Sequence, residues 1–431
     1  MAKKIWIFHH YATGPDKSGL TRPYDFACEL AKHGCETTVF SASYLHYSKE
    51  QLIRDKKRYI ISKSNKIPFI FVKTPSYEGN GYSRIKNLAG YCINLIRVCR
   101  NMEKPDVIIA SSPHLFTLAA GLYIAKRKKI PCICEIRDLW PEAVFYVGKC
   151  TRKSVPGRLL VTLEHWIYKK ADALIFTKEG DIRYLEENGW LSESGKKDID
   201  REKCFYINNG INLREFNSNR EMYRLDDPDL QTEAFKVIYT GALRKLNHLD
   251  TIVDAAFLLR GESGLEFLIY GAGDMQEAWK KKAKELQLSH LKFKGRIEKK
   301  YIPYVLSRAS LNLLHYSNRL YNWSRGNSSN KLFEYMAAGK PILSTIEMGY
   351  SLIKRYGCGI EVSNPTAKTI AEAILKMKNA SEQEREAMGK GAKTGAEDFD
   401  IPALACKLEE VIEYVEHQGR DARSACTGDG K

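Results

Sequence analysis

The 431 residues carry 68 Lys and Arg against 52 Asp and Glu, a formal net charge of +16, with 44% hydrophobic and 28% charged positions. That length exceeds what one hydrophobic core usually holds and predicts two domains, while the composition excludes a fibrous or wholly disordered chain. No run approaches the ~18 apolar residues of a membrane span, and eleven scattered cysteines without a CxxC pair speak against a disulfide framework or a zinc site.

The start of the chain runs directly into the short apolar stretch 5–8, which reads as a first strand and is too brief for a signal-peptide core, so a cytoplasmic protein is expected. Charge is uneven. Residues 1–200 hold 33 Lys and Arg against 21 Asp and Glu, a net of +12, which leaves +4 for the remainder. Much of the excess lies in 51–100, where Arg54, Lys57, Lys63, Lys66, Arg84, Lys86 and Arg97 alternate with Tyr59, Phe69, Phe71, Tyr82 and Tyr91. Such a surface suits nucleic acid, anionic lipid headgroups or a pyrophosphate-bearing lipid; a merely solvated basic face explains it too.

Apolar runs near 4–8, 37–41, 68–72, 107–111, 131–136 and 173–177 predict strands, with helical patterns near 22–33, 82–101, 115–126 and 159–170 between them. A second series predicts strands near 235–240, 265–270, 291–294, 310–315 and 340–344, and helices near 250–259, 275–285, 300–308, 331–338, 366–378 and 402–416. Alternation of this kind requires parallel sheets covered on both faces, hence an α/β chain of two doubly wound domains with ligands beyond the carboxyl ends of the strands. Polar stretches at 187–203 and 212–233 put the boundary near 205, giving domains 1–205 and 206–400. A helix near 402–417 is free to pack back on the first domain, and the small polar tail 418–431 is expected to be disordered.

Candidate site residues fall at strand ends. The first strand opens into the loop 9–22, where Gly19 precedes a helix and would let the backbone approach a phosphate; a plain turn marked by Gly14 and Pro15 accounts for the same residues. The loop matches neither GxGxxG nor a P-loop. The strand 131–136 runs into Glu135, Arg137, Asp138 and Glu142. Asp138 is the candidate base or sugar-orienting residue, with Arg137 or Glu135 tuning it; an Arg137–Glu142 ion pair is the structural alternative. The next domain's first strand ends at Gly241, followed by Arg244, Lys245 and Asn247, and the two turns after it carry Gly271 with Gly273 and Gly295 with Arg296 and Ile297. Last comes a polar loop, Gly326, Asn327, Ser328, Ser329 and Asn330, feeding a helix with Lys331 and Glu334. Free amides at a helix start, with a lysine beside them, hold an anion such as a diphosphate, and Glu334 is placed to accept from a sugar hydroxyl. The plain alternative is a surface helix with Lys331 and Glu334 as an i,i+3 pair. Asp198 with Asp200 and Asp398 with Asp400 have Asp-x-Asp spacing but lie in a polar linker and beside the last helix, so no metal or other cofactor is expected.

These residues together resemble the family 4 retaining glycosyltransferases of GT-B architecture. The likeness covers nearly the whole chain. It is carried by the loop to Gly19, the run from Glu135 to Glu142, Asn208 to Asn212 with Phe216, Gly241 to Asn247, Gly271 to Asp274, Gly295 with Arg296, Asn330 to Pro341, and Gly357 to Gly359. It implies two facing Rossmann-like domains with a cleft between them, a UDP- or GDP-linked sugar on the second and the acceptor on the first. It also implies Glu334 on the donor ribose, Arg244, Lys331 and the amides of Ser328, Ser329 and Asn330 on the diphosphate, and the backbone of Arg296 and Ile297 on the base. There are three departures. Gly326 stands where the family often has a first glutamate, which leaves sugar contacts to Asn327 or backbone. Asn247 replaces an expected lysine, and Arg137 precedes Asp138 where a histidine is common. The runs around Asp138 and Glu334 are most similar to bacterial enzymes that build surface polysaccharides on polyprenyl-diphosphate carriers. That likeness implies a lipid-linked acceptor and peripheral attachment to the anionic inner face of the plasma membrane. A sugar-nucleotide epimerase of the same fold is the rival enzyme, and a basic nucleic-acid-binding protein the rival from another class. No nucleic-acid module is recognisable, and no such partner is expected.

Overall fold

The computed structural model describes residues 2–427 apart from 18, 63–66, 80, 147, 193–197 and 318–321, so Lys63 and Lys66 of the basic stretch lie outside the described residues. The chain divides into two compact units, Met1–Asn208 together with Leu404–Lys431, and Asn209–Ala403.

The first unit is built on eight strands: β1 (Lys4–His9), β2 (Glu36–Ala42), β3 (Tyr59–Ser62), β4 (Phe69–Val72), β5 (Val107–Ser111), β6 (Cys132–Ile136), β7 (Ala173–Phe176) and β8 (Cys204–Tyr206). They lie in the order β8-β7-β6-β5-β1-β2-β4-β3, all pairs parallel except β3 against β4. The chain leaves β1 toward β2 on one side and, from β4 onward, returns across to β5, β6 and β7 on the other. Right-handed crossovers therefore put the helix Arg22–Lys32 on one face and the helices Tyr82–Arg100, Leu115–Lys128 and Val155–Lys170 on the opposite one. Alternate strand residues follow suit: Trp6, Phe8 and Phe40 pack with Tyr91, Leu95, Leu118 and Ile167 in one continuous core.

In the second unit β9 (Phe235–Thr240), β10 (Leu265–Tyr270), β11 (Leu291–Gly295), β12 (Leu311–Leu314), β13 (Ile342–Ser344) and β14 (Gly359–Glu361) form a six-stranded parallel sheet in the order β11-β10-β9-β12-β13-β14. The strand order reverses between β9 and β12, so the loops leaving these two strands bound the crevice where doubly wound sheets take ligands.

The final helix runs Ile401–Thr427 and buries Leu404, Leu408, Val411 and Val415 in its N-terminal part. It belongs with the first unit, where His33 Nδ1 meets Glu409 at 2.8 Å and Lys3 meets Glu416 at 3.2 Å. One sequence expectation is corrected here, by the helix Leu213–Met222 inside the polar stretch 212–233, which the Asn212 side chain caps by accepting from Glu215 N. The Asp-x-Asp residues have structural work: Asp200 caps a short turn, Asp398 accepts from Tyr356 OH, and Asp400 accepts from Leu213 N.

Candidate functional site

At the carboxyl edge of the second unit three turns are laced together by backbone. Gly241 N donates to Tyr270 O, Gly271 N to Gly295 O and Leu243 N to Ala272 O, which brings the ends of β9, β10 and β11 side by side. The packing leaves no room for side chains at the first two positions. A Cβ on Gly271 would lie 1.8 Å from Gly241 O, and one on Gly241, whose φ is +150°, would lie 2.3 Å from Lys331 Nζ.

Lys331 is thus held against β9. Its Nζ lies 2.9 Å from Tyr239 OH and over the rings of Tyr239 and Tyr316, 4.3 and 4.7 Å from their centroids. Burial lowers its pKa to about 7, with the Glu334 charge opposing the shift. It forms no salt bridge with Glu334, so the i,i+3 pair that sequence left open is not made. Glu334 has no hydrogen bond to its carboxylate among the described residues, and burial raises its pKa against the pull of Lys299 and Lys331.

Both residues stand on the helix Asn330–Ala337, whose N-cap Ser329 makes no capping bond. Ser329 Oγ is instead buried without a hydrogen-bond partner among the described residues. The Asn327 carboxamide oxygen takes Ser329 N at 2.7 Å, and Asn209 Nδ2 holds Ser328 O, so the loop is braced; Leu332 N turns back to Ser329 O at 3.2 Å, while the amides of Asn330 and Lys331 have no hydrogen bond among the described residues. Tyr335, on the buried side of the helix, fixes it to β9 by accepting from Thr240 N at 3.1 Å. His315, at the end of β12, ties Thr345 Oγ1 at 2.7 Å and His248 O at 3.0 Å; burial lowers its pKa to about 4, so it is neutral. Arg244 is exposed, and neither it nor Asn247 has an ion pair or side-chain hydrogen bond among the described residues. Arg296 is exposed beside Ile297, which packs on the small core of Leu230, Ile238 and Tyr270. The arrangement offers one cation, a set of helix-start amides, an unused hydroxyl and a free carboxylate around a glycine-lined turn. That combination can grip an anionic group and a neighbouring diol.

The first unit treats its charged strand ends differently. Arg22, buried at the start of its helix, donates to Glu135 Oε1 at 2.9 Å and to the carbonyls of Ile207 and Asn208, while Ser111 Oγ donates to the other Glu135 oxygen. Glu135 was expected to tune Asp138; its two oxygens are taken by a clamp joining β6, β5 and the helix Arg22–Lys32, which burial of a carboxylate demands. Asp138 is exposed and pairs with Lys178 at 3.2 Å. The Arg137–Glu142 pair is replaced by Arg152–Glu142 at 2.6 Å, and Arg137 Nη1 lies 3.4 Å from His9 Nε2. Gly19 packs on Thr13 in a loop closed by Thr13 N to Leu20 O, with no Cβ tolerated there. Tyr239, Tyr316, Tyr335 and His315 went unread in the sequence, because each looks like an ordinary buried aromatic until the loops are assembled. The Asn209 contact had only its asparagine pair as a signal.

Residues 21–194 match the family profile described as glycosyl transferase 4-like domain, and residues 225–395 that of glycosyl transferases group 1. A curated relative, the probable glycosyltransferase WbjE of Pseudomonas aeruginosa, is 25% identical over 265 residues, which is 59% of this chain and 60% of that protein's length. Among solved structures, a sucrose-phosphate synthase from Thermosynechococcus elongatus superposes with a TM-score of 0.69 at 16% identity, covering 96% of this chain and all of that one, 100%. Anabaena HepE in complex with UDP gives 0.66 at 14% identity, covering 95% and 99%. WaaG, a glycosyltransferase involved in lipopolysaccharide biosynthesis, gives 0.63 at 16%, again covering 95% and 99%. At these identities the superpositions establish the two-domain GT-B fold.

Proposed function

As the chain is a glycosyltransferase of GT-B architecture, with a 4-like half followed by a group 1 half, we propose that it moves a sugar, with retention, from a nucleoside diphosphate to a lipid-linked saccharide in bacterial surface polysaccharide synthesis. The observation that carries the donor half of this reading is the helix Asn330–Ala337. It combines an uncapped start, a buried Ser329 hydroxyl without a partner, Lys331 on two tyrosine rings and Glu334 with a free carboxylate. In this reading Glu334 accepts from the ribose hydroxyls, and Lys331, Arg244 and the first helical amides neutralise the diphosphate as it leaves. Gly241 and Gly271 let the phosphates approach the backbone, and the turn at Arg296 and Ile297 receives the base. Asn327, next to Gly326 in the chain, is the candidate for sugar contacts. The UDP complex of the HepE neighbour supports a nucleotide at such a site, and the involvement of WaaG in lipopolysaccharide biosynthesis supports the acceptor class.

Because these groups bring positive charge to the diphosphate themselves, the reading includes no divalent metal, and turnover is expected to be indifferent to EDTA. A thermal-shift series against UDP, GDP, ADP and their sugars tests the donor half: a ligand that binds only the folded state at a hundred times its Kd stabilises it by about 2.7 kcal/mol. No shift with any nucleotide sinks the reading. Turnover of the nucleotide sugar to an epimer without acceptor would replace it by the epimerase.

A further inference from the structure

We propose that the layer formed by the helices Tyr82–Arg100, Leu115–Lys128 and Val155–Lys170 is the face by which this protein lies on an anionic lipid bilayer. The three helices pack side by side over one face of the first unit's sheet and share its core. Together they contain ten Lys and Arg and a single acid, Glu164, which is fully buried and bonded to Tyr168 and Tyr184. Outside the layer, Asp198 reaches its edge, 3.7 Å from Lys169 Nζ. The outer surface is therefore almost purely cationic. The opposite face carries carboxylates that answer its bases, Glu29 with Lys32, Glu409 with His33 and Glu416 with Lys3.

Charge alone would suit a nucleic acid equally. What selects a lipid surface is the apolar material exposed among those cations. Val155, Leu159 and Trp166 are 74%, 66% and 46% exposed and, spaced four and seven residues apart, stand one above another on a single helix face. Arg158 and Lys170 flank that stripe, and Tyr82, Ile93 and Tyr123 on the neighbouring helices are 71%, 50% and 45% exposed. Aliphatic groups and a tryptophan that face water beside lysine and arginine are the pattern of a helix lying in the headgroup zone. No described helix is long and apolar enough to cross a membrane, so the contact is superficial. The bilayer contact thus falls on this helix layer and not on β3 and β4 of the basic stretch 51–100. It rests on the lipid-linked reading only for the source of the surface.

The test is co-sedimentation of the full-length protein with phosphatidylcholine vesicles, with and without phosphatidylglycerol. Retention is expected on the anionic vesicles alone and should fade as salt is raised. Leu159→Ser with Trp166→Ser should abolish it, and Arg158→Gln with Lys170→Gln should lower partition on the order of tenfold. Lys32→Gln on the opposite face should leave it unchanged. All variants should keep the wild-type urea midpoint and donor-induced thermal shift. Equal retention on neutral vesicles, or undiminished retention of both double variants, overturns the proposal. So does a wild-type dimer that the Leu159/Trp166 variant dissolves without loss of vesicle binding. Charge-dependent vesicle binding by a protein that ignores every nucleotide sugar would sustain this surface and defeat the transferase reading instead.

Discussion

The two sheets share a parallel doubly wound centre, and their carboxyl edges have opposite charge habits. In the first unit the charged groups at strand ends find partners within the chain: Glu135 with Arg22, Asp138 with Lys178, Glu142 with Arg152. In the second, among the described residues, Lys331 meets a phenol and two rings, and neither the Glu334 carboxylate nor Ser329 Oγ has a hydrogen bond. A buried charge costs several kcal/mol unless paired, so the first habit is that of a scaffold and the second that of a site awaiting a ligand. The difference assigns opposite phenotypes to residues that looked alike in sequence.

The largest expected effect belongs to the scaffold. Glu135→Ala leaves the Arg22 guanidinium buried and unpaired, and urea unfolding should show a loss of about 3–5 kcal/mol. A melt within error of wild type would mean that Glu135 is held for chemistry after all. Glu164 sharpens the contrast, since it is buried with two tyrosine hydroxyls bonded to it, at 2.8 and 2.7 Å, and no cation so bonded among the described residues. Burial raises its pKa to about 7, against about 4.3 in the unfolded chain. A carboxyl with a raised folded pKa binds its proton more tightly in the native state, so its contribution is full below the unfolded value and is lost as pH climbs toward 7. Glu164→Gln, which keeps the shape of the protonated acid, should therefore gain on wild type between pH 4 and 8, by on the order of 3 kcal/mol. A pH-independent difference would contradict the assignment.

Glu334→Ala should do the reverse of Glu135→Ala. Stability should hold, because no intrachain bond is lost, while donor affinity measured by titration calorimetry should fall about 10- to 100-fold, the worth of a hydrogen bond to a charged group. Next in size is a pH effect at Lys331. Its lowered pKa means that the ammonium is lost as pH rises through about 7, so UDP affinity should decline from pH 6 to 8.5, and Lys331→Met should flatten the profile. The side chain keeps partial access to water, which limits the decline to a few-fold.

The sequence carried much of this and missed specific parts for specific reasons. The Gly241, Gly271 and Gly295 turns and the helix of Lys331 and Glu334 were legible because glycine after a strand, and a polar loop before an amphipathic helix, have few other uses. The Glu135 clamp was not. Arg22 lies 113 residues away, and nothing local distinguishes a carboxylate that will be gripped by a distant arginine from one kept free. The helix Leu213–Met222 was hidden by its single buried residue, Phe216, and β3 by alternation too short to stand out, with Tyr59 and Ile61 exposed on an edge. The cationic helix layer was half visible: net charge showed an excess, but only the packing shows that three separated helices put it on one face.

Asp138 gives the finest test of the contrast. It is an acid at the carboxyl edge of its sheet, as Glu334 is of the other, yet its side chain is 63% exposed and its carboxylate lies 3.2 Å from Lys178. An exposed pair of this kind is worth about 0–1 kcal/mol, so Asp138→Asn should leave the melt nearly unchanged. If the residue only balances Lys178, kcat should be as indifferent as the melt, and Lys178→Met should behave identically. If it orients an acceptor, Asp138→Asn should lower kcat while Lys178→Met leaves it alone, because removing the lysine frees the carboxylate without moving it. The two variants separate a surface pair from a substrate contact by their kinetics where their stabilities coincide. A kcat loss confined to Asp138→Asn would make Asp138 the exception to the scaffold habit of its own unit.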